Sequence, residues 1–313
     1  MAGSEIKADL WIKEYLNPWD IYEHGITKVL IHKTTAYQEM YIVETGAYGI
    51  ALILDGKWQS CCGDEFIYHE ALVQPAMICH QNPKNVLILG GGEGATLREA
   101  LRWHTVEKVV MVDIDGEVVA ACQEYLEEMH QNSFDDPRVE LVIGDAIEFL
   151  DNTSQKWDIV ISDLSDPIES GPSFKLFTQE YYSKIHQILT PEGLITVQAG
   201  PTSPTDMDLH ASLIKTLGTV FTDVISYSSY VPSYACPWGF ALASKQNIPR
   251  QPNPEQTDAL LAEKTTGGLR LIDGIGLLGI FQTPAYIRHA IENATQVYTL
   301  KEPPKFFGKG LME

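Results

Sequence analysis

The chain has 313 residues, 44% of them hydrophobic, which is enough for one large or two modest folded domains with a sizeable core. Its 42 acidic and 22 basic residues give a net charge of -20, which argues against nucleic acids and anionic membranes as partners and favours cationic ligands. The same charge is also typical of a surface that merely keeps a protein in solution. The five cysteines lack metal-ligand spacing and no apolar run is long enough to cross a bilayer, so we expect a cytoplasmic protein with reduced thiols.

The first 82 residues are predicted to form a small antiparallel β domain. In the segment WIKEYLNPWDIYEHG, Pro18 and Gly25 interrupt any long helix, and from residue 26 to residue 60 apolar and polar residues alternate as in antiparallel strands. Asp64 is then placed to cap a helix, DEFIYHEALVQPAMICH, that ends before Pro83. We therefore expect the first domain to span residues 1–82 and to close with this helix.

Residues 83–245 are predicted to form a second domain of a different class. Short apolar strands alternate with helical segments from Val86 onward, which is typical of a mostly parallel, doubly wound sheet with helices on both faces. The proline-rich residues 246–256 are typical of a linker, and residues 246–313 make a C-terminal extension in which a helix starts at Thr283-Pro284. The expected fold class is α/β, with the ligand site where the parallel strands end.

A glycine loop marks the first strand end of this domain. The apolar strand VLIL is followed by Gly90, Gly91 and Gly92, then by a helix start, and a second apolar strand ends in Asp113 at about the spacing of a ribose-binding acid. This pattern indicates a nucleoside site, although such loops also occur as tight turns that bind nothing. Glu93 inside the loop would repel a pyrophosphate, so it disfavours NAD or FAD and favours a cationic ligand.

Acidic residues follow four consecutive strands of the predicted sheet: Glu93, Asp113, Asp145, and Asp163 with Asp166. A single Asp after a strand is commonly a turn or helix cap. Four such strand ends crowd carboxylates around one cleft, and their repulsion is relieved if the ligand supplies positive charge. Asp113 suits a ribose and Asp145 an exocyclic amine, which leaves the other three to face cationic groups.

Aromatic side chains are available beside these acids. Tyr68 and His69 lie on the helix of the first domain, and Tyr230, Tyr234 and Trp238 lie in YVPSYACPWGF. Such rings can stack on aliphatic amines or on a sulfonium ion through cation–π contacts. Core packing is the alternative, and it is as plausible for Trp238 as a binding role.

The motifs along the chain resemble those of the polyamine aminopropyltransferases, the spermidine synthase family. The shared motifs are TAYQEM, LILDGKWQ, DEFIYHE, GGGEGA, VMVDIDGEVV, GDA, DLSDPIESGP with KLFTQEYY, QAGP, YVPSY with WGF, LRLIDG and the final GKG. The sequence is most similar to the thermospermine synthase and triamine or agmatine aminopropyltransferase branch. The resemblance implies a small N-terminal antiparallel β domain followed by a Rossmann-like doubly wound domain, assembled as a homodimer or homotetramer.

The resemblance also implies an activity and a set of roles. The donor would be decarboxylated S-adenosylmethionine, a co-substrate, with no cofactor and no metal, and the products would be methylthioadenosine and a longer polyamine. The donor nucleoside would be held by the glycine loop and by Gln38, Leu54, Gln59, Asp113 and Asp145. Tyr68, Glu93 and Asp163 would surround the aminopropyl arm, with Asp163 as the base that Tyr68 assists. The acceptor channel would be lined by Asp166, Gln198, Tyr234, Trp238, His69, and Trp19 or Trp11.

The sequence leaves alternatives open for the identity of the acceptor and for the class of reaction. Spermidine synthases that use putrescine commonly have Asp in place of Glu93, Gln in place of His69 and a shorter segment after Pro167, so we expect a longer amine, spermidine or agmatine, to be preferred over putrescine. An S-adenosylmethionine methyltransferase on the same fold is a second candidate, but its donor carboxylate would meet Glu93 and Asp163. A polyamine-binding sensor without activity is the third.

Overall fold

The computed structural model describes residues 7–8, 10–168 and 173–305. Part of the segment after Pro167, residues 169–172, lies outside the described residues, and so does the final GKG motif. In the described range, no helix is both long and apolar enough to span a membrane. The five cysteines are all described and all free, as expected for reduced thiols.

An antiparallel sheet opens the described chain. Its strands lie in sequence order and are β1 (Leu10–Tyr15), β2 (Ile21–Thr34), β3 (Glu39–Thr45), β4 (Gly49–Leu54) and β5 (Lys57–Cys61). The strand β1 was not predicted. In β1 the side chains of Ile12 and Glu14 are buried and their neighbours are more exposed, so a polar residue occupies an inward position and masks the alternation of the strand.

A mixed sheet forms the second layer. Its strands, as far as the chain is described, are β6 (Asn85–Gly90), β7 (Lys108–Asp113), β8 (Val139–Ile143), β9 (Trp157–Asp163), β10 (Leu189–Pro201), β11 (Asp223–Val231) and β12 (Cys236–Ser244). The spatial order is β11-β12-β10-β9-β6-β7-β8, with β8, β7, β6, β9 and β10 parallel and the β11–β12 hairpin antiparallel. The predicted fold class is confirmed. Because the chain runs outward in both directions from β6 and β9, the switch point of this sheet lies between those two strands.

Helices cover both faces of the mixed sheet. Those within the described residues are α1 (Glu65–His80), α2 (Ala95–Leu101), α3 (Gly116–Tyr125), α4 (Glu127–His130), α5 (Ala146–Asn152), α6 (Gln179–Ile188), α7 (Asp208–Leu217), α8 (Pro254–Lys264), α9 (Gly274–Ile280) and α10 (Ala285–Asn293). One buried cluster of apolar residues, which includes Ile53, Leu72, Ile88 and Phe240, joins the first sheet, α1 and the mixed sheet into a continuous core.

Helix α1 packs on the mixed sheet, against β9, β10, β11 and β12, although the sequence analysis assigned it to the first domain. Most of its side chains are buried, because this sheet covers one side of the helix and α2 and α8 pack against the rest of it. The predicted cap by Asp64 is wrong. Asp64 stands at the N-cap position, but its carboxylate instead accepts hydrogen bonds from the buried backbone N–H (2.7 Å) and hydroxyl (3.0 Å) of Ser233.

The C-terminal extension folds back onto the rest of the chain. The predicted linker at residues 246–256 ends inside α8, which begins at Pro254, and the helix expected after Thr283-Pro284 is α10. The buried carboxylate of Glu70 on α1 accepts backbone N–H bonds from residues 270, 271 and 272 at 2.8–3.1 Å. The extension is thus tied to the helix that carries Tyr68.

Candidate active site

The carboxyl ends of the parallel strands bring the predicted site residues to one edge of the mixed sheet. In spatial order, Gln198 lies near the end of β10, β9 ends at Asp163, β6 runs into the glycine loop at Gly90, β7 ends at Asp113, and Asp145 follows β8. The first sheet docks over this edge: Thr35 donates to the Asp115 carboxylate at 2.6 Å, and Tyr234 donates to the backbone carbonyl of Gln59. The two sheets therefore enclose the site.

A cavity of about 410 Å³ lies between the sheets. Most of the predicted site residues line it: Gln38, Leu54, Gln59, Tyr68, Gly90, Gly91, Gly92, Glu93, Asp113, Asp145, Asp163, Asp166, Gln198, Tyr234 and Trp238. The order of the strands then divides the cavity into two halves around Asp163. The half beside β7 and β8 is here named the donor half, and the half beside β10 and β12 the acceptor half.

The glycine loop lets the backbone pass close to the central carboxylate. Gly90 has φ +84°, and a Cβ placed there would lie 2.1 Å from the carbonyl oxygen of Asp163. Gly91 donates its N–H to that same carbonyl at 2.9 Å, and its own Cβ position lies 3.2 Å from an Asp163 carboxylate oxygen. Any larger residue at Gly90 would push β6 and β9 apart at the site, so glycine is needed there.

Asp163 is held at the centre of the cavity by two hydroxyl groups. Tyr68 donates to one carboxylate oxygen at 2.8 Å and Thr96, in the first turn of α2, donates to the other at 2.5 Å. Burial and the neighbouring charge of Glu93 raise the pKa of Asp163 to about 6, against the opposing effect of His69 and the two hydroxyls. Burial and the Asp163 charge raise the pKa of Tyr68 well above its usual value, so Tyr68 remains a hydrogen-bond donor.

The donor half contains two carboxylates in different situations. Burial raises the pKa of Asp113 to about 6, and one of its oxygens accepts the Asp115 backbone N–H at 2.9 Å. Asp145 lines the cavity but also caps α5, accepting the N–H of residues 147 and 148. Gln38 reaches the cavity while its amide donates to the Asp115 carboxylate at 3.0 Å. Asp145 therefore both caps a helix, as is common for an Asp after a strand, and lines the cavity.

The acceptor half is a hydrogen-bonded series of polar and aromatic side chains. Gln198 donates to Asp166 at 3.3 Å and accepts from the indole of Trp238 at 3.2 Å. The ring of Tyr234 contacts those of Tyr68 and Trp238, with centroids 6.0 and 5.0 Å apart. Burial raises the pKa of Asp166 to about 6. Three aromatic rings therefore connect the carboxylate of Asp163 with that of Asp166, an arrangement that suits an aliphatic cation.

Five charged residues that line the cavity were not predicted from the sequence: Glu14, Asp20, Lys57, Lys175 and Asp206. Lys57 Nζ donates to the Tyr15 carbonyl at 2.6 Å and lies 3.4 Å from Glu14 Oε1. Burial raises the pKa of Glu14 to about 7 even though Lys57 opposes this change. Glu14 could have been predicted from its position two residues after Ile12, since alternate residues of a strand lie on the same face and Ile12 is directed inward.

Three predicted aromatic residues, Trp11, Trp19 and Tyr230, do not line the cavity. Trp19 is 90% exposed. The side chain of Asn17 accepts the backbone N–H groups of Trp19 and Asp20 and so forms a turn, in which Asn17 and Asp20, rather than Trp19, line the cavity. Trp11 is 43% exposed and donates to the Ala8 carbonyl, and Tyr230 is 56% exposed. The assignment of Trp19 or Trp11 to the channel wall is therefore wrong.

His69 also lies outside the cavity, contrary to the prediction that it lines the acceptor channel. It is 1% exposed and stands behind Glu93, with 2.6 Å between its Nε2 and a Glu93 carboxylate oxygen. In the part of the chain that is described, His69, Glu93 and Asp163 are the group whose metal-ligand atoms converge, within 4.8 Å of one another. Both ring nitrogens of His69 already face carboxylates, which fits an ion-paired cluster better than a metal-binding imidazole.

Two family models match the chain. Residues 65–252 match the spermine/spermidine synthase domain, and residues 10–61 match the spermidine synthase tetramerisation domain. The chain belongs to the spermine/spermidine synthase family.

Relatives of this family are similar over nearly the whole chain. A polyamine aminopropyltransferase of Synechococcus sp. (strain JA-2-3B'a(2-13)) is 53% identical over 96% of this chain and 99% of its own, and one of Sulfolobus acidocaldarius is 44% identical over 94% and 97%. A crystal structure of a spermidine synthase in complex with the transition-state analogue AdoDATO aligns with a TM-score of 0.85 at 28% identity, covering 93% of this chain and 98% of that one. The Thermotoga maritima spermidine synthase gives 0.82, with the same identity and coverage.

These similarities confirm the family and the enzyme class that the motifs predicted. The chain is a transferase of the polyamine aminopropyltransferase class, and its two-sheet architecture is that of spermidine synthase. The spermine/spermidine synthase model begins at residue 65, where α1 starts. The packing of α1 on the mixed sheet agrees with that boundary.

Proposed function

We propose that the protein transfers the aminopropyl group of decarboxylated S-adenosylmethionine to an amine and releases methylthioadenosine. The observation that carries this proposal is the position of Asp163, a buried carboxylate held by Tyr68 and Thr96 between the two halves of the cavity. A nucleoside in the donor half would direct its alkyl arm toward Asp163, and an amine in the acceptor half would approach the same point from the other side.

The proposed reaction needs a base but no general acid. An alkylammonium cannot attack until it loses a proton, and Asp163 is placed to accept it. The amine nitrogen then forms a bond to the donor carbon attached to sulfur, the carbon–sulfur bond breaks, and its electron pair remains on sulfur as methylthioadenosine leaves as a neutral thioether. Alignment, proton removal and charge compensation by the side chains account for the chemistry, so we propose that no cofactor and no metal takes part.

The charge of the cavity favours the decarboxylated donor over S-adenosylmethionine. With the alkyl arm directed toward Asp163 as proposed, the methionine carboxylate of S-adenosylmethionine would lie beside Glu93 and Asp163, and no arginine is found among the described residues that line the cavity. Placing a third carboxylate beside these two would be strongly unfavourable in a buried site. We therefore propose aminopropyl transfer over methyl transfer on the same fold.

We propose spermidine or agmatine as a better acceptor than putrescine. Besides Asp166, the carboxyl groups of Glu14 and Asp206 line the cavity. We propose that a longer amine places its second charged group among these acids and that putrescine, being shorter, engages fewer of them. The differences at Glu93 and after Pro167 from putrescine-using enzymes are in line with this preference.

The experiment is a competition assay. The protein is incubated with decarboxylated S-adenosylmethionine and equal concentrations of putrescine, spermidine and agmatine, and the products are identified by mass spectrometry. We expect aminopropylated spermidine or agmatine to predominate. Predominant spermidine formed from putrescine would refute the acceptor proposal, and a methylated amine formed from S-adenosylmethionine would refute the donor proposal.

We also propose that the protein is a homo-oligomer, a homotetramer or a homodimer, assembled through its first sheet. That sheet matches a domain named for tetramerisation, and its residues Leu10, Trp11, Ile21 and Val29 are each more than 40% exposed. Exposed apolar residues grouped on one sheet are typical of an interface between subunits. Light scattering on the purified protein measures the mass, and a monomer at micromolar concentration would contradict the proposal.

A further inference from the structure

A continuous chain of charged side chains runs behind Glu93, away from the cavity. Glu93 Oε1 lies 2.6 Å from His69 Nε2, and His69 Nδ1 lies 2.8 Å from Glu65 Oε2. Two guanidinium nitrogens of Arg98 donate to the two Glu65 oxygens at 2.9 Å each. Arg98 donates in turn to the buried Glu99 at 3.0 Å. Each member of the chain is less than 9% exposed, so positive and negative charges alternate in a largely buried environment.

The geometry determines the charge of His69. A neutral imidazole has one N–H donor and one nitrogen lone pair, and the lone pair cannot face a carboxylate at hydrogen-bond distance without repulsion. His69 Nδ1 faces both the backbone carbonyl and a carboxylate oxygen of Glu65 at 2.8 Å and therefore carries a proton, and we infer that Nε2, 2.6 Å from a Glu93 carboxylate oxygen, carries one as well. Burial by itself would lower the pKa of His69, but the hydrogen bonds and charges of Glu65 and Glu93 raise it to about 10.

Glu93 and Asp163 need a positive charge nearby. The charge of Glu93 raises the pKa of Asp163, and His69 is the neighbour that opposes this change. The titratable and charged groups that face the pair from the surrounding elements are Glu65, Tyr68, Arg98, Asp113, Cys122 and Tyr234. Among these, Arg98 is the cation, and it is paired with Glu65 and Glu99 rather than with either cavity carboxylate.

We propose that His69 is a positioning residue whose positive charge, fixed by Glu65 and Arg98 behind it, offsets the charge of Glu93 and so keeps the neighbouring Asp163 ionised to receive the cationic donor. His69 touches neither substrate in this proposal and acts through Glu93. The inference rests on the proposed donor. It explains why a residue outside the cavity matters for the site: two carboxyls in one buried pocket otherwise share a proton, which the donor would have to displace.

The test compares His69→Gln with the matched control His210→Gln. Glutamine can keep a hydrogen bond to Glu93 but carries no charge. His210 is also fully buried and hydrogen-bonded at both ring nitrogens, but its partners are the Ala199 carbonyl and the Ser226 hydroxyl, and burial lowers its pKa to about 4. Affinities for decarboxylated S-adenosylmethionine and for neutral methylthioadenosine are measured by calorimetry from pH 6 to pH 9, together with kcat/KM for the donor.

In the His69→Gln variant, we expect the acid limb of the pH profile of kcat/KM for the donor to move to higher pH by about one unit. The donor should bind about tenfold more weakly than to the parent protein at pH 6.5 and equally well at pH 9, while the affinity for methylthioadenosine changes little. His210→Gln should leave the acid limb in place. An unmoved limb with activity lowered equally at every pH would overturn the proposal in favour of a packing role. A change confined to the KM of the amine would place His69 in the acceptor channel instead.

A second measurement uses the unaltered protein and does not depend on any variant folding. Ring-labelled histidine NMR should show one histidine that remains an imidazolium up to at least pH 8.5, and Glu65→Gln should remove that signal. If no histidine stays protonated above pH 7.5, the proposal is wrong. If the parent protein binds neither nucleoside, the proposed function has failed, and the NMR titration still decides the charge of His69.

Discussion

Asp163→Asn tests the proposed base most directly. The amide has nearly the shape of the carboxylate and can still accept the hydrogen bond of Tyr68, but it cannot take a proton from the amine. General-base catalysis of this kind contributes roughly 10²- to 10⁴-fold, and we expect kcat to fall by about that factor at neutral pH. The pKa of about 6 means that most of the parent protein carries ionised Asp163 at pH 7.5 and roughly a tenth does so at pH 5, so its kcat/KM should fall about tenfold between these values.

The loss in Asp163→Asn should be partly recovered in alkaline solution. An alkylamine with a pKa near that of lysine, about 10.4, is roughly 0.1% unprotonated at pH 7.5 and roughly 10% at pH 9.5. Because the variant depends on the free amine, its kcat/KM for the acceptor should rise by up to two orders of magnitude over this range, whereas the parent profile should be nearly flat. Initial rates of methylthioadenosine release, measured by chromatography at saturating donor, give both profiles.

A matched control lies on the same strand. Asp158, near the start of β9, accepts the backbone N–H groups of Lys84 and Asn85 at the far edge of the sheet from the cavity. Asp158→Asn makes the same chemical change in the same strand and should leave kcat and its pH profile unaltered once activity is expressed per folded protein. Turnover of Asp163→Asn near the parent value at pH 7, or a variant profile as flat as that of the parent, would show that another group accepts the proton.

Three further predictions follow from the geometry of the cavity. Glu93→Gln should raise the Kd of decarboxylated S-adenosylmethionine at least tenfold and change that of methylthioadenosine little; equal affinity for the donor in variant and parent would place Glu93 away from the arm. Asp166→Asn should raise the acceptor KM with little change in kcat, since Asp166 lies beside the base and not at it, and a large fall in kcat would be the contrary result. Because their pKa values are raised in the folded state, to about 6 for Asp113, Asp163 and Asp166 and to about 7 for Glu14, these four groups bind more protons in the folded protein than in the unfolded chain between about pH 4 and 7; His24 and His210, whose pKa values burial lowers to about 4, act in the opposite direction but are fewer. Stability without substrates should therefore rise as pH falls from 8 to 5, by on the order of 1 kcal/mol per group, and calorimetric unfolding that shows the opposite slope would contradict this.

The ends of the parallel strands were predictable because one rule connects sequence to position. Once alternating strands and helices indicate a doubly wound sheet, every strand must end at the same edge, so acids that are separated by many residues meet there. This placed Glu93, Asp113, Asp145, Asp163 and Asp166 around one cavity without knowledge of any contact. The spatial order of the strands was not needed for this prediction, since it was enough to know that all these strands end at the same edge of the sheet.

The orientation of side chains on the covering elements could not be predicted in the same way. His69 directly follows Tyr68 on α1, and a helix turns by about 100° per residue, so one side chain enters the cavity and the other is directed toward Glu65 and Arg98. Which of the two enters depends on how α1 packs against the mixed sheet and α2. The prediction for Trp19 was wrong for a related reason. Trp19 lies in a tight turn, where the direction of its side chain is set by the hydrogen bonds to Asn17 and not by any periodicity of the sequence.

The charges of the cavity also bear on which part of the donor they should hold. A sulfonium loses its positive charge as the carbon–sulfur bond breaks, so carboxylates placed against the sulfur would stabilise the ground state more than the transition state and slow the reaction. The terminal ammonium of the aminopropyl arm keeps its charge throughout, and carboxylates that bind it gain affinity without raising the barrier. Glu93 and Asp163, held ionised by His69, therefore act best if they bind that ammonium and the incoming amine. The neutral thioether product then has no cationic group left to hold it, and its release needs no further charge compensation.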